Sequence, residues 1–248
     1  MTTTRLPLFP LNTVLFPGLV LPLNVFEARY RALLRDLLEL PEDGLRPFGV
    51  VAIREGREVA RTGLGLPDGT PPPDAGPTDG FGPDPMRTLH HVGCIADAST
   101  VRERSGTDRG YEVLATGTSR FRLLSVDTGG PYLIGEIEEL PEEAGEGAGA
   151  VATGVLRAFR AYQKGLAEAH ERTMTSEQEL PDEPLVVSYL VAAATVLATS
   201  DRQRLLEAPD AVTRLLKELA LLRRETTLIS KLPSVPAADH LLRPVSLN

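Results

Sequence analysis

The chain has 248 residues, of which 42% are hydrophobic and 24% are charged, as is typical of globular proteins. Its formal net charge of −8 gives no electrostatic footprint for nucleic acid, so a DNA- or RNA-binding function is not expected. The single cysteine, Cys94, excludes an intramolecular disulfide and fits a reducing compartment.

The sequence has no pattern typical of export or membrane insertion. The first residues lack the charged and then continuously apolar layout of a signal peptide. The longest apolar run, 185–198, is interrupted by Ser188 and Thr195 and is too short to span a bilayer. We therefore expect a cytoplasmic protein without a membrane partner.

The first 25 residues consist of short apolar runs that prolines separate. Because proline cannot donate to a strand ladder, it stays at strand ends or edges, and this pattern predicts an irregular, closed β-structure. The next segment, 26–40, has apolar residues at helical spacing and predicts a helix. Asn24 is its predicted N-cap, and Pro41 is predicted to stop it.

Strand patterns then continue to residue 140 with one interruption. The segment 66–87 is dominated by proline, glycine and aspartate, so we expect it to bury little apolar surface and to be a mobile loop. The Gly117-Thr118 pair is predicted to be the turn of a hairpin. The predicted strands lie at 48–53, 89–101, 111–116, 121–126 and 132–140.

The hydrophobic period changes from that of strands to that of helices after 142–149, a segment rich in glutamate, glycine and alanine. A first helix is predicted directly after this segment, and Pro184 is predicted to open the second. Ser200 and Gln203 have the spacing of a capping box for a short helix. Asp210 is the predicted N-cap of a longer one.

The order of these elements predicts an α+β fold, in which a compact, mostly-β N-terminal domain precedes a C-terminal helical bundle. The β-domain, a pseudo-barrel with one helix, is expected at 1–141 and the bundle at 142–232. A short tail is expected at 233–248. No internal repeat is evident.

Several groups of residues follow one another in an order that is characteristic of one family. They are the proline-rich opening, the strand 92–96, the segment 111–122 with Arg120-Phe121-Arg122, the Pro131-Tyr132 pair, and 201–207 together with 214–216. In this order they resemble the Lon protease N-terminal domain family. The resemblance implies the fold described above and a substrate-recognition module. The segment 66–87 is longer than the family's hairpin normally needs.

The chain lacks the sequence features of Lon catalysis. None of its three lysines, Lys164, Lys217 and Lys231, is followed by serine or threonine, so there is no phosphate-binding loop. Ser230 and Lys231 are sequence neighbours, but a catalytic dyad needs convergence in a dry pocket. We expect no enzymatic activity, since only a short tail follows the last predicted helix.

His90, His91 and Cys94 come nearest to a metal-ligand cluster. In a strand, His90 and His91 point to opposite faces, and His90 and Cys94 lack a third and a fourth ligand nearby. We therefore predict ordinary strand residues here, with no metal site and no cofactor.

Two segments near the N-terminus are candidates for a role beyond packing. In Glu27-Ala28-Arg29-Tyr30, the tyrosine belongs to the core face of the helix, and Glu27 or Arg29 is expected to tie the helix to a nearby loop. Val14, Leu15 and Phe16 lie in a loop between prolines, where an exposed apolar rim would suit peptide binding. The alternative, that all three are buried, stays open.

The leading hypothesis is a non-catalytic protein- or peptide-recognition module. It would capture unfolded segments, degron-like peptides or a partner protein, such as a protease or chaperone, in a groove between the β-domain and the bundle. Pairing to a strand edge would assist. The alternative is a small-molecule-binding or enzymatic protein with a pocket near His90, Arg120 and Tyr132. The oligomeric state is left open.

Overall fold

The computed structural model describes residues 3–41, 44–56, 76–104, 110–169 and 180–231. The chain divides into two compact units between Pro141 and Glu142. The first is mostly β and the second is helical, which confirms the predicted α+β class. The predicted tail, 233–248, lies outside the described residues.

Strands of the first unit close into a barrel. β1 pairs with β3 on one side and with β6 on the other, β3 pairs with β4, and β5 pairs with both β4 and β6. β2 lies outside this ring, against residues 111–116 of β5. The elements are β1 (Thr3–Leu11), β2 (Val20–Val25), α1 (Ala28–Leu38), β3 (Pro47–Ala52), α2 (Pro85–Thr88), β4 (Val92–Arg104), β5 (Gly110–Asp127) and β6 (Ile134–Glu139).

The predicted hairpin at Gly117-Thr118 is wrong, because both residues lie inside the continuous strand β5. The first half of β5 pairs with β2 and its second half pairs with β6, so one long strand serves two neighbours. The glycine allows a close approach of the loop before β2, which is the other common reason for glycine in a strand.

Helix α1 packs its apolar face on the barrel strands, as its periodicity predicted. Tyr30, Leu33, Leu34 and Leu37 are buried in one cluster, and the Tyr30 ring stacks on that of Phe9 with 4.1 Å between centroids. The predicted N-cap is wrong. Asn24 is part of β2, and the N-cap position belongs to Glu27, because strand pairing with β5 continues to Val25.

Part of the predicted loop 66–87 lies outside the described residues, and its remainder, 76–87, is ordered. Phe81 is buried in a core cluster, and the short helix α2 begins at Pro85. The expectation that this stretch buries little apolar surface is therefore wrong for 76–87. A buried phenylalanine and contacts from α1 offset the entropy of ordering it.

The second unit is built from α3 (Ala148–Ala169), α4 (Pro184–Ala194), α5 (Thr199–Leu206) and α6 (Ala211–Lys231). Its core includes Phe159 and Leu215. Pro184 opens α4 as predicted, with the Glu183 carboxylate accepting from the first backbone amides. Asp210 caps α6 as predicted, accepting from the Thr213 amide at 2.7 Å.

The predicted capping box of α5 is wrong. The helix begins at Thr199 with Ala198 as N-cap, so Ser200 does not occupy the cap position, and the Ala198 side chain makes no capping hydrogen bond. Gln203 is buried, and its amide donates to Glu207 at 2.8 Å. Among the helices in the described ranges, none is long and apolar enough to cross a bilayer.

Candidate functional site

Val14, Leu15 and Phe16 are all buried. The prediction that they form an exposed apolar rim is therefore wrong, and the alternative, that all three are buried, is the one observed. A hydrogen bond holds the end of this loop against β5: the Gly18 amide donates to the Gly117 carbonyl at 2.9 Å. That these three side chains contact a peptide stays a prediction. Their burial does not favour it, because buried side chains offer little surface to a ligand.

Apolar side chains are instead exposed on the surface that β2 and β5 share. Val20 is 59% exposed and Leu114 is 45% exposed, and Pro22 between them is exposed as well. Pro22 is directly opposite Leu114 in the β2–β5 register, so these two side chains are neighbours on one face. We call this surface the outer face and define its apolar centre as Val20, Pro22 and Leu114.

Polar residues frame the apolar centre. Leu114 is paired across the sheet with Thr100 of β4, and Val20 is opposite Thr116. At the other end, Asn24 is opposite Glu112, which forms an exposed ion pair with Arg104 at 3.7 Å. An apolar centre with a polar rim is the usual composition of a protein-binding surface.

The backbone of β2 adds a second feature to the outer face. β2 pairs with β5 on one side, and in the described part of the chain no strand pairs with its other side. The Gly117 amide donates to the Leu19 carbonyl, so the Leu19 carbonyl points toward β5. Because the backbone groups of successive residues point alternately to the two sides of a strand, those of Val20, Pro22 and Asn24 point to the open edge.

Two features of the sequence indicate this surface. A proline inside a strand indicates an edge strand, and Pro22 lies inside β2. Because side chains alternate along a strand, the Leu114 side chain points to the opposite face from those of Val113 and Ala115, which are buried. The predicted hairpin instead assigned a turn to Gly117 and Thr118, which lie on the same strand as Leu114.

The Glu27-Ala28-Arg29-Tyr30 segment holds a loop in place, as predicted. The buried Arg29 guanidinium forms an ion pair with Glu27 at 2.9 Å. It also donates to the backbone carbonyls of Pro77 at 3.3 Å and Asp79 at 2.6 Å. These contacts tie α1 to the segment that leads to α2.

Residues of the predicted small-molecule pocket have partners within the fold. The Tyr132 hydroxyl donates to the Asp36 carboxylate at 2.5 Å, and burial together with this carboxylate raises the pKa of Tyr132 to about 12. Arg120 is buried and donates to the Pro141 carbonyl at 3.2 Å. The His90 backbone amide donates to Ala52. Within the described ranges, no group of three or more His, Cys, Asp or Glu side chains could hold a metal ion.

A cleft of about 320 Å³ lies between α3 and α6 in the helical unit. Most of the side chains that line it are small or carry hydroxyl groups, and Arg223 is the charged one. The lining is Ala158, Ala161, Leu222, Arg223, Thr226, Thr227 and Ser230. This set provides no acid–base pair and no nucleophile with an adjacent base.

A buried polar network joins the helices of the second unit. The Arg214 guanidinium donates to the Ser188 hydroxyl at 2.8 Å and to the Leu205 carbonyl at 3.1 Å. It lies over the Tyr189 ring at 4.0 Å, and its distance to the Glu142 carboxylate is 3.8 Å. The Tyr189 hydroxyl donates to the same carboxylate at 2.7 Å. Sequence patterns did not predict this network.

Glu218 lies one turn after Arg214 in α6 and is also buried. Among the residues that the structure describes, neither of its carboxylate oxygens has a hydrogen-bond partner. Burial raises the pKa of Glu218 well above its ordinary value, and the Arg214 charge offsets only part of this effect. The pKa shifts in this direction because taking a carboxylate charge out of water is costly.

A family model decides which class of protein this is. The model of the ATP-dependent protease La (LON) substrate-binding domain matches residues 5–224. The chain belongs to this family. The match includes the whole outer face and most of α6, so the LON substrate-binding domain accounts for both units.

Curated relatives of this LON domain are much longer proteins. Lon protease 2 of Syntrophobacter fumaroxidans is 28% identical over 251 residues, covering 96% of this chain and 28% of the relative. Lon protease 2 of Sorangium cellulosum is 30% identical, covering 88% of this chain and 24% of the relative. The chain thus spans about a quarter of the length of the relatives it matches.

Solved structures show the same fold. The Lon N-terminal domain protein from Xanthomonas campestris has a TM-score of 0.54 and 24% identity, covering 88% of this chain and 98% of that one. The N-terminal domain of Mycobacterium avium complex Lon protease has a TM-score of 0.53 and 18% identity, covering 90% and 98%. At these identities the likeness concerns the fold.

Proposed function

We propose that this LON domain is a non-catalytic recognition module that binds extended, apolar segments of other proteins on its outer face. The observation that carries the proposal is the exposed apolar centre, Val20, Pro22 and Leu114, within a polar rim on one sheet. The description of the family as a substrate-binding domain supports the same role.

The size of the apolar centre sets the strength of binding. Val20 and Leu114 are each about half exposed, so covering either side chain contributes about 1 kcal/mol. Such a small surface gives weak, reversible capture rather than tight binding. Weak capture suits a module that holds a polypeptide briefly and releases it to another protein.

Partners of the module are proteins or peptides, either unfolded clients or a protease or chaperone that works on them. Nucleic acid and membranes are not among the proposed partners, and a cytoplasmic location belongs to the same proposal. The groove predicted between the β-domain and the bundle stays a prediction.

The alternative, a small-molecule-binding or enzymatic protein, has less support. Tyr132 and Arg120 already hydrogen-bond within the fold. The cleft between α3 and α6 offers one charged side chain, Arg223, without the converging titratable groups that catalysis needs.

Binding of a permanently unfolded probe tests the proposal. Fluorescence anisotropy would measure the affinity of the full chain for reduced, carboxymethylated α-lactalbumin. Leu114→Thr and Val20→Thr should each weaken binding by about 3- to 10-fold, because each removes apolar contact area while retaining strand propensity.

Leu124→Thr is the matched control. Leu124 lies on the same strand, β5, and is 42% exposed, but it is not in the segment that pairs with β2. Its substitution should leave the affinity unchanged. Equal losses for Leu114→Thr and Leu124→Thr, or no binding of the probe by the unmodified chain, would overturn the proposal.

A further inference from the structure

We infer that the bound polypeptide joins the sheet as an additional strand along the open edge of β2. The inference rests on the proposed function and specifies how the outer face holds its ligand. It adds a backbone requirement to the apolar one, since strand addition provides affinity through main-chain hydrogen bonds and specificity through alternate side chains.

The hydrogen-bonding groups of the open edge can be counted from the register. Val20 and Asn24 each present one amide and one carbonyl outward, and Pro22 presents a carbonyl alone. An extended segment opposite these three residues thus meets two donors and three acceptors. Each bond made should strengthen binding by about 5-fold, which is comparable with the effect of one apolar side chain.

Pro22 makes an extended client a better occupant than a second copy of this chain. In a two-fold symmetric β2–β2 pair centred on Pro22, proline is opposite proline, and the centre of the ladder has no donor on either strand. A client strand places its own amide opposite the Pro22 carbonyl and makes that bond. Proline on an edge is a recognised protection against edge-to-edge association.

Side chains of the added strand continue the rows of the outer face. The residue opposite Pro22 extends the Pro22–Leu114 row, so it should be apolar or β-branched. The residue opposite Asn24 extends the row that contains Glu112, so it should be polar. The preferred ligand is therefore an extended segment with alternating apolar residues and a polar residue at one end.

An N-methyl scan tests the backbone requirement directly. The probe is a peptide of about seven residues that alternates threonine with valine or leucine, with blocked ends. N-methylation at the residues whose amides point toward β2 should weaken binding by about 5- to 10-fold. Methylation at the residues between them, whose amides point away from β2, should have little effect. This period-2 pattern follows from strand geometry.

Outcomes of the scan separate the two proposals. Binding without a period-2 pattern would overturn strand addition and leave recognition by the outer face intact. No binding of this peptide, together with no binding of carboxymethylated α-lactalbumin, would overturn the proposed function as well. Binding of carboxymethylated α-lactalbumin without binding of the peptide would overturn strand addition by short segments.

Restoring the missing donor of the edge gives a second, independent test. Pro22→Val should strengthen binding of the unmethylated peptide by several-fold, because a third amide becomes available. It should also cause concentration-dependent dimerisation in sedimentation velocity, since the protection against self-pairing is lost. Unchanged affinity and an unchanged sedimentation coefficient would contradict the inference, and Leu124→Val serves as the control.

Discussion

Gly117 lies so close to Phe16 that a Cβ atom at position 117 would be 2.4 Å from the Phe16 carbonyl oxygen. The same atom would be 3.0 Å from the Cys94 sulfur. A glycine in the middle of β5 therefore allows the loop before β2 to lie on the barrel. This contact fixes where β2 begins and so positions the outer face.

Gly117→Ala should destabilise the β unit by about 1–3 kcal/mol, because the new methyl group collides with backbone that cannot move without displacing β2. Urea denaturation measures the change. Gly76→Ala is the control, since a Cβ atom there meets nothing within 4 Å, and it should change stability by less than about 0.5 kcal/mol. Equal effects of the two substitutions would contradict the account.

Arg29 and Glu27 should behave as one buried unit. Arg29→Met leaves the Glu27 carboxylate buried without its 2.9 Å partner, and the expected loss is about 3–5 kcal/mol. The double variant Glu27→Gln/Arg29→Met should lose less than the sum of the two single losses, because the uncompensated charge is gone. Additive losses in urea denaturation would show that the pair is not coupled.

The stability of the helical unit should depend on the protonation of Glu218. Its pKa is raised in the folded state, so the folded chain binds a proton more tightly than the unfolded chain. The stabilisation is present below the ordinary carboxyl pKa and is lost as the pH rises toward the raised value. Unfolding followed by far-UV circular dichroism should therefore show stability falling as pH increases over that window.

Glu218→Gln should flatten this pH dependence and raise stability at neutral pH, because the neutral amide has no charge to desolvate. Glu168→Gln is the control, since its exposed carboxylate forms a 3.9 Å surface pair with Lys164. A pH dependence that is the same in Glu218→Gln and in the unmodified chain would show that another group controls it.

Tyr132 should titrate later than an ordinary tyrosine. Its folded-state pKa is raised to about 12 by burial and by the Asp36 carboxylate, so its contribution to stability is complete below the unfolded value and is lost as pH rises above that value toward about 12. Difference absorbance between the unmodified chain and Tyr132→Phe isolates this titration. A midpoint at the ordinary tyrosine value would contradict the Tyr132–Asp36 contact.

Features set by neighbours in sequence were predictable. The apolar period of α1, the proline that opens α4 and the aspartate that caps α6 all act within one turn of chain. The order of several short motifs along the chain also identified the family, because a series of motifs in a fixed order is far more specific than any one of them.

Features set by distant residues were not predictable from the pattern alone. The pattern around Gly117 indicates a turn, and only the position of Phe16 explains a glycine inside this strand. The pattern of 76–82 indicates a mobile loop, and only the hydrogen bond from Arg29 to the Asp79 carbonyl shows how this loop is held in place. Val14, Leu15 and Phe16 lie between prolines, a pattern that fits either an exposed rim or a buried loop, and only the structure shows that all three are buried. The proposed site therefore lies on β2 and β5, beside the predicted residues rather than on them.

Backbone amide exchange at β2, measured by NMR with and without saturating peptide, tests the central claim most directly. The amides of Val20 and Asn24 point to the open edge and should become protected when the peptide binds, whereas those of Leu21 and Leu23 already face β5 and should change little. Unchanged exchange at Val20 and Asn24, with shifts concentrated at the α3–α6 cleft instead, would contradict recognition at the outer face.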